Sequence, residues 1–289
     1  MRYIDWARKA FSNKYLKRTG FGIFVCLAFV VLSFVSYAIY DNVMYGDPAT
    51  DTPADYEEKD YSSCTVLGIN LHGVLLTYVP EGNEDDPLSE KDVVGSEEIV
   101  SAIRAADEDD NIKGYLIEVD SPGGLPVAGE EIANALKASN KPSAVVIRST
   151  GASSAYWAAS GASRIFASKS SDVGSIGVTM SYLEDISKDK KYVQLSSGKY
   201  KDAGNPEKPL TEEEKELLMR DIKIVHENFI ENVAINRNIP IEKIRAIADG
   251  SSVLGEKAKS LKLIDEIGSW VEAEKYLEQQ IGEKPVVCW

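Results

Sequence analysis

Histidine is the scarcest residue in this chain, with only His72 and His226 in 289 positions. A Ser-His-Asp triad therefore has few candidates, and a serine nucleophile would need another base, for which lysine is the known alternative. Cysteine is nearly as rare. Cys26, Cys64 and Cys288 form no CxxC pattern and HExxH is missing, so no metal site and no cofactor are expected. Basic charge is short as well. Of a net charge of −14, residues 1–19 carry +5 (six Arg and Lys against Asp5), which leaves −19 for the rest. An acidic body excludes non-specific nucleic-acid binding, which needs basic surface.

One stretch lacks charge altogether. Gly20–Tyr40 holds 21 residues without a single ionisable carboxylate, Lys or Arg, and Ile23–Val35 is almost wholly aliphatic or aromatic. At a rise of 1.5 Å per residue this makes about 31 Å of helix, enough for a bilayer core of about 30 Å. Basic residues precede it and Asp41, Asp47 and Asp51 follow, so the N-terminus is expected in the cytoplasm and the body outside. A cleaved signal peptide has a shorter apolar region and a small-x-small exit, which Ser36-Tyr37-Ala38 matches poorly. The expected organisation is thus a basic cytoplasmic segment at 1–19, a retained single-pass anchor at 20–40, an acidic linker at 41–63 and one globular domain at 64–289. A Cys64–Cys288 disulfide is open to the domain outside the cytoplasm, but unpaired cysteines fit the spacing equally well.

Within that domain strands alternate with helices, which argues for an α/β fold of βαβ units with parallel pairing. Strands are expected at Val66–Val79 (broken at Gly73), Lys113–Val119, Ser143–Ile147, Arg164–Ala167 and Tyr192–Leu195, and Asp172–Val178 is a Gly-bracketed segment. Helices are expected at Ser96–Ala106, Val127–Ala138, Thr211 to about Asn236, Ile241–Ala248, Gly255–Leu261 and Trp270–Ile281. Thr211-Glu212-Glu213-Glu214 reads as a capping box, with Leu217, Leu218, Ile222, Val225, Phe229 and Val233 on the buried side of its helix. Pro80–Asp92 and Ser197–Pro209 read as loops.

Chemistry concentrates at a few junctions. Thr150–Ser160 follows the apolar run Ala144–Ile147 and leads into a small-residue helix, placing Ser153 and Ser154 where a nucleophile can face a cleft beside a helix N-terminus. An N-cap on an Ala-rich packing helix is the plain alternative. Asp120-Ser121-Pro122-Gly123-Gly124 lies between a strand and a helix, where glycines let backbone N–H groups point into a cleft, or simply make a turn. Lys201 is the candidate base. Any lysine acting as base must be uncharged, about three units below its ordinary 10.4, and only burial or nearby positive charge achieves that. His226 reads as a packed or surface histidine of a long helix, while His72 sits in a strand pattern beside Gly73.

Taken together these segments resemble the signal peptide peptidase A family of membrane-anchored serine proteases, over roughly Val66 to Gly268. The motifs fall in the family's order: Ser-Pro-Gly-Gly at 121–124, Ala-Ser-x-x-Tyr-Trp at 152–157, Gly-Ser-Ile-Gly-Val at 174–178 and Ser-Gly-x-Tyr-Lys-Asp at 197–202. The tail Ala-Asp-Gly…Leu-Ile-Asp-Glu-Ile-Gly at 248–268 completes them. The resemblance implies a protease domain at 64–289 with a Clp protease/crotonase-like spiral of βαβ units behind the transmembrane helix. It implies Ser153 as nucleophile, Lys201 as general base, Ser175 as the lysine's hydrogen-bond partner, and Gly123 and Gly124 as the oxyanion turn. It further implies a ring-like homo-oligomer in which neighbouring subunits share each site, acting on remnant signal peptides or other short hydrophobic peptides at the extracytoplasmic membrane face. One departure stands out: Ser154-Ala155 replaces the family's Gly-Gly, which adds Cβ atoms beside the nucleophile. A catalytically impaired membrane scaffold of the same fold is the alternative.

Overall fold

The computed structural model describes residues 64–79, 93–182, 193 and 195–289. The expected anchor at 20–40, the linker at 41–63 and the loop at Pro80–Asp92 lie outside the described residues. Among those described, no helix is long and apolar enough to cross a membrane.

A mostly parallel nine-stranded sheet organises the domain. Its central strands are β1 (Val66–Leu76), β3 (Gly114–Gly124), β4 (Ser143–Ala152) and β5 (Arg164–Ala167), flanked by the short β2 (Val93–Gly95). Helices α1 (Ser96–Glu108), α2 (Pro126–Ala138) and α3 (Ser154–Ser160) connect β2 to β3, β3 to β4 and β4 to β5. Since β1–β3, β3–β4 and β4–β5 are parallel neighbours, successive βαβ units run along the sheet. After β6 (Asp172–Gly174) come α4 (Glu212–Asn236), α5 (Ile241–Arg245), β7 (Ser252–Leu254), α6 (Gly255–Ser260), β8 (Glu266–Ile267), α7 (Trp270–Ile281) and β9 (Val287–Cys288).

Each sheet face has its own core, as expected for near-continuous apolar strands. On one face Leu71, Ile117, Val119 and Ile147 pack with α1 to α4. On the other, Val66, Leu116, Ala144, Val146 and Phe166 are covered by Ala273 and Leu277 of α7. The C-terminus closes back on the start of the domain: β9 pairs with β1, and Cys64 and Cys288 form a disulfide with a Cα–Cα distance of 5.9 Å.

Two strands run longer than the sequence suggests. Asp120–Gly124 continues β3 rather than turning away, because parallel pairing carries it alongside Val74 and Leu75 of β1 after a register shift at Gly73. Only glycine fits there, since a Cβ on Gly124 would lie 2.0 Å from the Leu75 carbonyl oxygen. β4 likewise continues past Ile147, pairing first with β5 and then, over Thr150–Ala152, with β6. The expected strand at Tyr192–Leu195 is corrected: its described residues, Val193 and Leu195, are not in a strand and are 67% and 95% exposed. The apolar stripe of α4 is also only partly spent. Phe229, Ile230, Val233 and Ala234 are buried, but Leu217, Leu218, Ile222 and Val225 are half-buried, because little of the described chain packs over the first half of the helix.

Candidate active site

The exchange of partners along β4 shapes the site. Where β4 leaves β5 for β6, its end delivers Ser153, whose N–H donates to the Gly174 carbonyl at 2.8 Å. Ser153 is the N-cap of α3, yet its side chain makes no capping hydrogen bond, so the plain N-cap reading fails. Its backbone is held at φ 54°, ψ −132°, a region costing a non-glycine residue about 1–3 kcal/mol and found chiefly where function demands it. Ser175, just after β6, is also left-handed at φ 50°.

What holds Ser153 there is burial. All seven residues of α3 are buried, the Tyr156 hydroxyl donates to the Leu263 carbonyl at 2.8 Å, and Trp157 stacks on Phe229 of α4 at 4.7 Å. Burial also pushes the Tyr156 phenol pKa up, keeping it a neutral donor. Helix α2 approaches closely, because a Cβ on Gly129 would sit 2.3 Å from the Ser154 carbonyl oxygen and 3.0 Å from its Cβ. Here lies the accommodation of the Ser154-Ala155 departure: the side chain added at 154 faces a glycine. Ser154 is 2% exposed and its hydroxyl has no partner among the described residues, so of the two serines Ser153 alone reaches the cleft.

That cleft, of about 540 Å³, is lined by Pro122, Ser153, Ser175, Gly177, Val178, Thr179, His226, Ala248, Asp249 and Gly250. Ser175 is clamped by the loop opposite: its N–H donates to the Ser251 carbonyl at 3.1 Å and its hydroxyl to the Gly250 carbonyl at 2.9 Å. With its proton engaged, the Ser175 oxygen has lone pairs left to accept from an amine. Asp249 accepts from the Ser251 hydroxyl at 2.6 Å and its N–H at 2.9 Å, and these bonds hold the carboxyl below its ordinary range.

The glycine end of β3 abuts the nucleophile. Gly123 has φ +100°, and a Cβ there would lie 2.7 Å from the Ser153 Cβ. Its N–H donates to Ser121 Oγ at 3.1 Å, and Ser121 Oγ donates to the Gly73 carbonyl at 2.6 Å. Use of Gly123 as an oxyanion donor therefore requires that N–H to exchange Ser121 for substrate.

Of the residues expected at the site, Ser153 and Ser175 share one cleft and Gly123, at the end of β3, lies against Ser153, but Lys201 does not line the cleft. Lys201 is exposed in the 197–209 loop, which ion pairs fasten to the start of α4: Lys199–Glu213 at 2.7 Å and Lys208–Glu214 at 2.5 Å. His72 lies 2.9 Å from the buried Glu118 carboxylate, which also accepts from Arg148 at 2.9 Å, and it too is away from the cleft. His226 is half-buried on α4, within the sequence reading of a packed or surface histidine, and it also lines the cleft. Helical periodicity alone does not reveal this, since the facing wall comes from 175–179 and 248–250.

Residues 135–284, half of the chain, match the model of Peptidase family S49. The Methanocaldococcus jannaschii protein named "Putative protease MJ0651" is 40% identical over 179 residues, covering 60% of this chain and 58% of the relative. The Arabidopsis thaliana "Serine protease SPPA, chloroplastic" is 32% identical over 182 residues, 60% of this chain but 27% of its own length. The chain thus spans less than two thirds of either relative. Among solved structures, a Listeria monocytogenes ClpP1 mutant matches 71% of this chain and 93% of its own, at 15% identity and a TM-score of 0.47. The family match and the ordered motifs lead to one conclusion: the chain belongs to peptidase family S49.

Proposed function

We propose that this protein is a membrane-anchored serine endopeptidase that cuts remnant signal peptides or other short hydrophobic peptides at the extracytoplasmic membrane face. The observation that carries the reading is Ser153: a strained residue, unused as a cap, sharing a cleft with Ser175 and pressed against Gly123 at the end of β3. Ser153 Oγ attacks the peptide carbonyl while the Lys201 amine of a neighbouring copy accepts its proton. Backbone N–H groups at Gly123 and Gly124 hold the oxyanion; as it collapses the C–N bond breaks, the lysine ammonium returns its proton to the departing amine, and water then hydrolyses the acyl-enzyme. Ser175, its own proton held by Gly250, accepts from the amine and aims the nitrogen lone pair at Ser153.

Two observations support a site completed by a second copy of this chain in a homo-oligomeric ring. Lys201 stands outside the cleft of its own chain, and the half-exposed apolar stripe of α4 adjoins the Lys201 loop. The Cys64–Cys288 disulfide supports a body outside the cytoplasm, where such bonds persist. The packing of Ser154 against Gly129 weighs against a catalytically impaired scaffold, since the added Cβ has room.

The test is labelling of the full chain, in detergent, with a serine-reactive fluorophosphonate. Labelling should vanish in Ser153→Ala and persist in Ser154→Ala, whose hydroxyl is buried. Equal labelling of wild type and Ser153→Ala would rule the assignment out.

A further inference from the structure

Strand β3 shifts register against both of its neighbours at the same level. Toward β1 it pairs Asp120 with His72 and then Gly123 with Val74, so β3 advances three residues while β1 advances two. Toward β4 it pairs Val119 with Ile147 and then Ser121 with Gly151, two residues against four. Gly73 is the residue of β1 passed over, and its φ is +74°. Such irregularities disrupt the ladder and re-aim the chain beyond them, and they gather beside active sites.

Side chains bridge both shifts. Asp120 Oδ1 accepts from the Thr150 N–H at 3.1 Å, tying β3 to β4. Ser121 Oγ donates to the Gly73 carbonyl at 2.6 Å, tying β3 to β1, and accepts from the Gly123 N–H at 3.1 Å. The bond from Gly123 alone would be an ordinary local turn of a serine onto the amide two residues on. The bond to Gly73 is not local: it joins residues 48 apart in the chain, and Ser121 is fully buried. With its proton committed to Gly73, the hydroxyl has a lone pair for the Gly123 amide and fixes where that amide stands. There is little slack at this point. A Cβ on Gly123 would lie 2.7 Å from the Ser153 Cβ and 2.8 Å from the Ala152 carbonyl oxygen, so a small slip of β3 changes the distance to the nucleophile.

We infer that Ser121 is a positioning residue of the Ser153 site: its hydroxyl, anchored on Gly73, holds the Gly123 N–H beside the nucleophile until the oxygen of the attacked carbonyl takes that N–H over. The inference rests on the peptidase reading for the exchange with a substrate oxygen, but not for the placement of Gly123. As negative charge grows on the substrate oxygen it becomes the stronger acceptor. Ser121 Oγ, still bonded to Gly73, keeps the end of β3 in place while the N–H changes partner.

Three substitutions in the full chain, in detergent, separate this role from packing. Ser121→Ala removes both bonds. Ser121→Cys keeps a side chain of similar size with only a weak donor and a weak acceptor, and Ser121→Thr keeps the hydroxyl. For an apolar peptide ester, the Ala and Cys variants should each lower kcat about ten-fold or more with KM within about two-fold. The Thr variant should retain more activity than either, and if its extra methyl unfolds the chain, the Ala and Cys pair still decides. Fluorophosphonate labelling of Ser153 should slow by a similar factor, because the phosphonyl oxygen gains charge in the same place. A kcat near wild type in Ser121→Cys would overturn the role, since side-chain size would then suffice, and so would a loss carried by KM alone. Hydrogen exchange at the Gly123 amide, read at single-residue resolution, gives a measure independent of turnover and should quicken about ten-fold or more in Ser121→Ala. Unchanged exchange would overturn the placement itself. If exchange quickens in a protein whose wild type neither labels nor hydrolyses the ester, the peptidase reading falls and the hold of Ser121 on Gly123 stands.

Discussion

Ser153 stands at the head of a helix whose seven residues are all buried, whereas Lys201 stands exposed in a polar loop that ion pairs hold to the start of α4. The nucleophile's position is fixed by backbone contacts of its own chain: Gly174 on its N–H, Gly123 against its Cβ and Gly129 behind Ser154. The other region has firm local structure, including the Thr211–Glu214 capping box and a Glu214 carboxyl that Lys208 holds below its usual range. Among the described residues, Lys201 in that loop is exposed. The difference between the two regions separates a site half that one chain completes from one that, in our reading, another surface completes.

The sharpest way to break this comparison is to inactivate each half separately. Ser153→Ala and Lys201→Ala should each lower kcat/KM by about 10⁴-fold or more, as loss of a nucleophile or its base does elsewhere. Mixing the two dead variants and allowing subunits to exchange should then restore part of the activity, because some sites pair an intact serine with an intact lysine. No recovery after demonstrated exchange would mean that each chain supplies both groups, and the contrast between the regions would lose its meaning.

A smaller effect separates the regions by stability. A Cβ at Gly129 meets the Ser154 carbonyl oxygen at 2.3 Å, and neither buried helix can give way freely. Gly129→Ala should therefore cost about 2–3 kcal/mol by thermal melting, in the range of overpacked cores. Gly198, in the lysine loop, has nothing within 4 Å of such a Cβ and only its φ of +92° to oppose the change. Gly198→Ala should cost about 1–2 kcal/mol, the penalty of a left-handed backbone alone. Equal losses would show that the loop is as tightly packed as the nucleophile helix.

The same contrast explains what could be read in the sequence. The βαβ order, the Thr211 capping box and the helix at Trp270–Ile281 follow from local periodicity and cap chemistry, and they match the structure. The strand-to-helix junction at Ser153 and the glycines around Ser175 are local signals, and both segments are found where the sequence puts them. Gly129 gives no such signal, since its role depends on a neighbouring helix and nothing in Val127–Ala138 announces that contact. The end of β3 was misjudged for a related reason: Pro122-Gly123-Gly124 has turn chemistry, and pairing with β1 overrides it. The two- and three-residue strands β2, β7, β8 and β9 are too short to show any period. Tyr192–Leu195 shows the reverse, an apolar pattern with no strand at its described residues.

The smallest effect tests whether the two regions meet at Asp249. This carboxylate lines the cleft, and its bonds from Ser251 lower its pKa, so it is anionic throughout the range in which a lysine base works. An anion beside an amine favours the ammonium and so opposes a free base. Asp249→Asn keeps an oxygen to accept from Ser251 and removes only the charge. More of the amine is then neutral at a given pH, and the rising limb of kcat/KM against pH should move to lower pH. Because Asp249 is exposed, added salt should shrink the difference between variant and wild type. A limb that does not move would place the amine beyond the reach of Asp249, and a limb that moves to higher pH would contradict an amine base. Only a limb that moves to lower pH joins the exposed loop of one chain to the half-buried Ser153 of another through a charge that both must share.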